Sequence, residues 1–171
     1  MVRKETVIDS WKIVRQDTAQ AVEDFPAADL DFKSTPDLMT FGELARHILD
    51  AGNALTGILL DGVDDMTTPN FRETTLARYR TQLPERLDSA TLASELRKSL
   101  ETRSAELAAK DDDFFSGIIT RFDGQRVTRL EMLQFIKEHE LTHRSQMFLY
   151  LRLKGIVPAT TRRRQTAQKS A

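Results

Sequence analysis

The order of apolar and polar positions along this chain predicts four long amphipathic helices. The first runs from about Arg3 to Glu23, where Val7, Trp11, Val14, Thr18, Ala21 and Val22 recur at helical spacing, and Pro26 stops it. The second opens at Thr40, because Thr40-Phe-Gly-Glu43 has the form of a capping box. Leu44, His47, Ile48, Ala51, Leu55, Ile58 and Leu59 then make its buried stripe, and Gly62 follows its last turn. The third, from about Ser89 to Lys110, carries Leu92, Leu96, Leu100 and Leu107 and is the most polar. The fourth starts at a second capping box, Thr128-Arg-Leu-Glu131, and stops at Gly155 and Pro158.

Helices of about 20 residues span about 30 Å each, and matched lengths suit an all-α four-helix bundle. More than 20 residues separate the second and third helices, with a short helix suggested around FRETTLARYR. A link that long can cross the bundle and leave those helices parallel. Between the third and fourth, GIITRFDGQRVT reads as a small hairpin turning at Asp123-Gly124.

The apolar stripe of the fourth helix is interrupted: Met132, Ile136, His139, His143, Met147 and Tyr150 follow at spacings of three or four. His139 and His143 therefore share a face, and His47 sits on the apolar side of the second helix. These are the only three histidines in the chain. A single imidazole on such a stripe is most often a hydrogen-bonded core residue. Three of three favours a shared divalent ion, since an uncompensated buried polar group costs about 1–3 kcal/mol. Three imidazoles also leave a tetrahedral ion one open position for water or substrate.

Composition narrows the chemistry. The chain has no cysteine, which excludes disulfides, thiolate metal sites and cysteine nucleophiles, and fits a reducing cytoplasm. With 171 residues, 40% hydrophobic and 30% charged, one soluble globular domain is expected. No apolar run approaches the roughly 20 residues of a membrane span, and the charged N-terminus does not resemble a signal peptide. Net charge is −1. Residues 159–171 hold Arg162, Arg163, Arg164 and Lys169 without an acid, which leaves −5 on the body, residues 1–158. That body suits nucleic acid poorly, and the basic tail reads as a disordered end.

His139-Glu140-Leu141-Thr142-His143 also matches H-E-x-x-H, the zincin signature, with Glu140 as general base. Zincins take a third ligand from downstream, and after His143 there is no His, Asp or Glu. The protease reading is therefore incomplete.

FGELARHILDA around His47, the H-x-x-x-H pair and the closing HRSQMFLYLRLKGIVP together resemble the DinB superfamily, which includes YfiT-type thiol transferases. The resemblance extends from Arg3 to Pro158. It implies a bundle of up-down-down-up order with one long crossover between the second and third helices. It further implies a divalent metal, nickel or zinc, on the histidines matching His47, His139 and His143. It implies a small-molecule substrate, with a low-molecular-weight thiol as cosubstrate in characterised relatives, and a homodimer. No catalytic base carries over.

If three neutral imidazoles hold the ion, a bound water or thiol is acidified toward neutrality, and thiol transfer or hydrolysis follows. The alternative is a non-catalytic helical binding or stress-response module with a structural or vestigial ion. Glu43, Asp50 and Gln146 lie near the histidines at helical spacing and read more simply as cap or surface residues. Glu140, about 100° around the helix from His139, can face either the site or solvent. Trp11 reads as a core anchor, Phe114, Phe115 and Phe122 as a cover for one bundle end, and Arg97 and Arg103 as solvated.

Overall fold

A computed structural model of the chain describes residues 2–84 and 87–169. Helix α1 spans Lys4–Asp24 and α2 spans Phe41–Leu60. The crossover that follows contains the short α3, Phe71–Thr74, and a 3-10 turn at Leu76–Tyr79. Then come α4, Ser89–Ala108, and the single-turn α5, Asp112–Ser116. A two-stranded antiparallel hairpin, β1 Ile118–Thr120 and β2 Arg126–Thr128, leads into α6, Arg129–Leu153. Ala159–Lys169 form a last helix, α7.

The ends of these helices are fixed by their own residues. Both capping boxes form: Thr40 Oγ1 accepts the Glu43 amide at 3.1 Å while Glu43 accepts the Thr40 amide at 2.7 Å, and Thr128 and Glu131 do the same for α6. Each cap is worth about 0.5–2 kcal/mol. Gly155, at φ +76°, ends α6, and the Ile156 amide reaches back to the Leu151 carbonyl at 2.9 Å.

Two apolar layers show the direction of each helix. One layer joins Val7 and Trp11 of α1, Ile58 and Leu59 of α2, Leu107 of α4, and Met132 and Leu133 of α6. The other joins Val22 and Phe25, Phe41 and Leu44, Leu92, and Met147 and Tyr150. The start of α1 thus shares an end of the bundle with the finish of α2 and α4 and the start of α6. The order is up-down-down-up, and the parallel pair α2 and α4 is the one the long crossover joins. α6 packs against α1 on one side and α2 on the other.

The crossover is held against α2. The Thr81 amide donates to Asp50 at 3.1 Å, and the Tyr79 hydroxyl donates to Asp61 at 2.5 Å. A Cβ at Gly57 would lie 2.5 Å from the Tyr79 ring, so only glycine permits this approach.

Two expectations change. The basic tail is helical as far as Lys169, and its last two positions, Ser170 and Ala171, lie outside the described residues. Arg162 pairs with Asp24 at 2.7 Å and Arg163 with Asp17 at 2.6 Å, so acids of α1 supply partners that the tail itself lacks. Arg97 and Arg103 are not simply solvated: the first holds Glu23 with both nitrogens and the second pairs with Glu106. Trp11 is buried as expected, and Phe115 is buried at one bundle end, whereas Phe122 is half exposed and packs on Phe135.

Candidate metal centre

Midway along the bundle, α6 carries polar residues toward both of its neighbours. Toward α2 it turns His139 and His143. His47 of α2 meets them, its Nε2 lying 3.2 Å from His139 Nε2, and His143 Nε2 lies 3.2 Å from the same atom. One ring nitrogen from each residue falls within 4.8 Å of the other two. Tetrahedral coordination at about 2.0–2.1 Å places donor nitrogens roughly 3.3 Å apart, so this spacing suits a small divalent ion. The three residues singled out from sequence are therefore brought together from two distant segments.

The surroundings keep two of these rings, His139 and His47, in the uncharged form that ligation requires. Burial, with His143 and His47 beside it, pushes the His139 pKa down to about 4, and Glu140 opposes this only weakly. His47 is lowered too, first by burial and then by His143 and Arg80, while Asp50 opposes the shift. Near neutral pH both rings are uncharged, with lone pairs free to ligate.

The side chains near the histidines have separate roles. Gln146 is not merely a surface residue: its Oε1 lies 2.9 Å from His143 Nδ1. An amide oxygen can only accept, so Nδ1 carries the proton and Nε2 keeps its lone pair toward the cluster. Asp50 lies one turn beyond His47 and is spent on the Thr81 amide; burial raises its pKa. Glu43 is confined to its capping box.

Glu140 goes neither to the histidines nor to solvent. It is 2% exposed and faces α1, where its oxygens accept from Arg15 Nε at 2.8 and 3.0 Å, Trp11 Nε1 at 2.7 Å and Thr18 Oγ1 at 2.8 Å. A carboxylate with this many donors has no capacity left for general-base work, which removes the zincin reading from the structural side as well. Arg15 Nη1 donates onward to the Leu96 carbonyl of α4 at 3.1 Å. A Cβ at Gly52 of α2 would lie 2.7 Å from Arg15 Nη2, so the absent side chain makes room for the guanidinium. Sequence reasoning passed over Arg15. Its signal was its spacing with Trp11 and Thr18, four and three residues away on the inward side of α1.

Fold and site thus define a four-helix bundle with a three-histidine cluster in the groove between its second and last long helices. The model of the DinB family matches residues 1–170, and the chain belongs to that family. Compared by sequence with curated proteins, it matches none. Among solved structures it is similar to a DinB-like protein of Bacillus subtilis, YjoA, at 21% identity and TM-score 0.67, covering 88% of this chain and 92% of that one. It is also similar to YfiT from Bacillus subtilis, described as a probable metal-dependent hydrolase with an unusual four-helix bundle topology. There the identity is 18% and the TM-score 0.69, over 91% of each chain. A mycothiol-dependent maleylpyruvate isomerase aligns at 15% identity and TM-score 0.61, over 85% of this chain and 61% of that one. At these identities the likeness carries the fold. No described helix is long and apolar enough to cross a membrane.

Proposed function

We propose that this chain holds one divalent metal ion, nickel or zinc, on His47, His139 and His143. With it the chain acts on a small molecule, either by hydrolysis or by transfer of a low-molecular-weight thiol. The carrying observation is the convergence of His47 and His143 Nε2 on His139 Nε2, each at 3.2 Å, with the far nitrogen of His143 held by Gln146. A closed structural shell requires a fourth protein ligand, and among the described residues the cluster contains the three histidines alone. An ion held there supplies Lewis acidity, bringing a water or thiol that reaches it toward deprotonation at neutral pH. The protein's own contribution is positional. His47 comes from a helix pinned by the crossover, and the other two rings come from a helix locked to α1 through Glu140. The metal-dependent and thiol-dependent descriptions of the structural neighbours accord with this reading.

Elemental analysis of protein purified without an affinity tag, wild type beside His143→Ala, tests the metal. About one equivalent is expected in the wild type and little in the variant. Absence of stoichiometric metal from chelator-free wild type would sink the proposal. Ester hydrolysis and thiol addition to an electrophile, assayed side by side on the loaded protein, then separate the two reactions. Inactivity in both, with the ion bound, leaves a non-catalytic binding module.

A further inference from the structure

Beside Gln146, the α1–α2 connection, the start of α2 and α6 leave a cleft of about 150 Å³. Asp37, Leu38, Met39 and Leu44 line it from the α1–α2 connection and the start of α2, and Gln146, Leu149 and Tyr150 line it from α6. Its walls are braced: the Tyr150 hydroxyl donates to the Met39 carbonyl at 2.9 Å, and Leu44 is buried in the core. Most of its exposed lining is apolar where polar side chains would cost nothing, with Leu38 44%, Met39 38% and Leu149 53% exposed, and Asp37 and Gln146 are the polar members. An apolar cavity of roughly this volume accepts a benzene-sized guest.

The cleft and the histidines are built on the same two helices, α2 and α6. Leu44 precedes His47 by one turn of α2, and Gln146 and Tyr150 follow His143 on α6. Gln146 belongs to both, lining the cleft while its amide oxygen holds His143. We infer that the cleft is the subsite for an apolar arm of the substrate, of about four to six carbons or one ring by the same size comparison. The reacting group of that molecule lies at the histidines. The inference rests on the metal-site reading above and adds the class of substrate: a small amphipathic molecule with a polar reacting end and a hydrocarbon end, rather than a uniformly polar metabolite.

Alkyl hydroxamates test it, because the hydroxamate chelates the ion and the alkyl group can be lengthened alone. Binding of the series from acetohydroxamate to hexanohydroxamate is measured by calorimetry on zinc-loaded protein, with methyl NMR of Met39 alongside. Wild-type affinity is expected to rise by up to about fourfold per methylene until the cleft is filled. The Met39 methyl signal should shift with hexanohydroxamate and not with acetohydroxamate. In Leu149→Asp, a change at an exposed position, acetohydroxamate should bind as before while the dependence on chain length disappears.

A flat series in the wild type, with acetohydroxamate bound, would overturn the subsite and leave the metal site standing. No hydroxamate binding at all, with no zinc retained, would overturn both. If Leu149→Asp instead alters the oligomeric state while the chain-length series persists, the cleft seats a second copy of the chain and the inference is wrong.

Discussion

His139 and Glu140 are adjacent on α6, and they serve opposite sides of the bundle. Glu140 faces α1, is fully enclosed and has four hydrogen bonds from three residues. His139 faces α2, is half-buried, and its Nε2 has only other imidazoles for company. Burial alone therefore does not distinguish a structural polar group from a functional one. The difference lies in whether the neighbours complete it. Glu140 is completed by Trp11, Arg15 and Thr18; His139 Nε2, one nitrogen between two others, has at most a single proton to share with both.

The largest expected effect falls on the completed side. Glu140→Ala leaves the Arg15 guanidinium buried without its partner, and a loss of about 3–5 kcal/mol in urea unfolding is expected. The double variant Arg15→Met/Glu140→Leu should recover much of that loss, since replacing both charges by apolar groups is often neutral or better. A strictly additive double variant would contradict the lock.

On the histidine side, zinc at a hundredfold its Kd should raise the unfolding free energy by about 2.7 kcal/mol. Thermal denaturation with and without the ion reads this, and His139→Ala should abolish the increment. Gln146→Leu should weaken the ion 10–100-fold by freeing the His143 ring, as loss of such supporting partners does elsewhere. Its metal-free stability should stay within about 0.5 kcal/mol, as for other surface positions. A variant that lost stability but kept metal affinity would place Gln146 with Glu140 rather than with the histidines.

A further effect is on pH. The unfolded His139 takes up a proton below about 6.5, whereas the folded residue resists until about 4. In that window the unfolded chain binds more protons, so stability of the metal-free protein rises with pH and levels off above it. Urea midpoints from pH 4 to 8 should show this slope, and His139→Asn should reduce it. Added zinc should lose its grip over the same acid range, because protonated imidazole cannot ligate.

Much of the fold was legible because each long helix announces its own ends and inward stripe: the two Thr/Glu boxes, Pro26, Gly155 and the leucines of α4. The histidine trio was legible for the same reason, as each ring breaks an apolar stripe. Glu140 was not. Helical periodicity gives its angle from His139 but not which neighbouring helix lies in that direction, and that depends on the crossover placing α2 beside α6. Gln146 was visible only as a spacing, since its hydrogen bond depends on a rotamer. The helicity of the tail depends on Asp17 and Asp24, more than 130 residues earlier in the chain.

The crossed topology also sets a schedule. His47 and His139 are 92 positions apart, and the helix bearing two of the three imidazoles is made well after α2. A growing chain that has made α2 but not α6 offers a lone ring, too weak a trap for any scarce cation. Loading of the proposed ion must therefore await synthesis of α6, so a product truncated before that helix would hold no complete site.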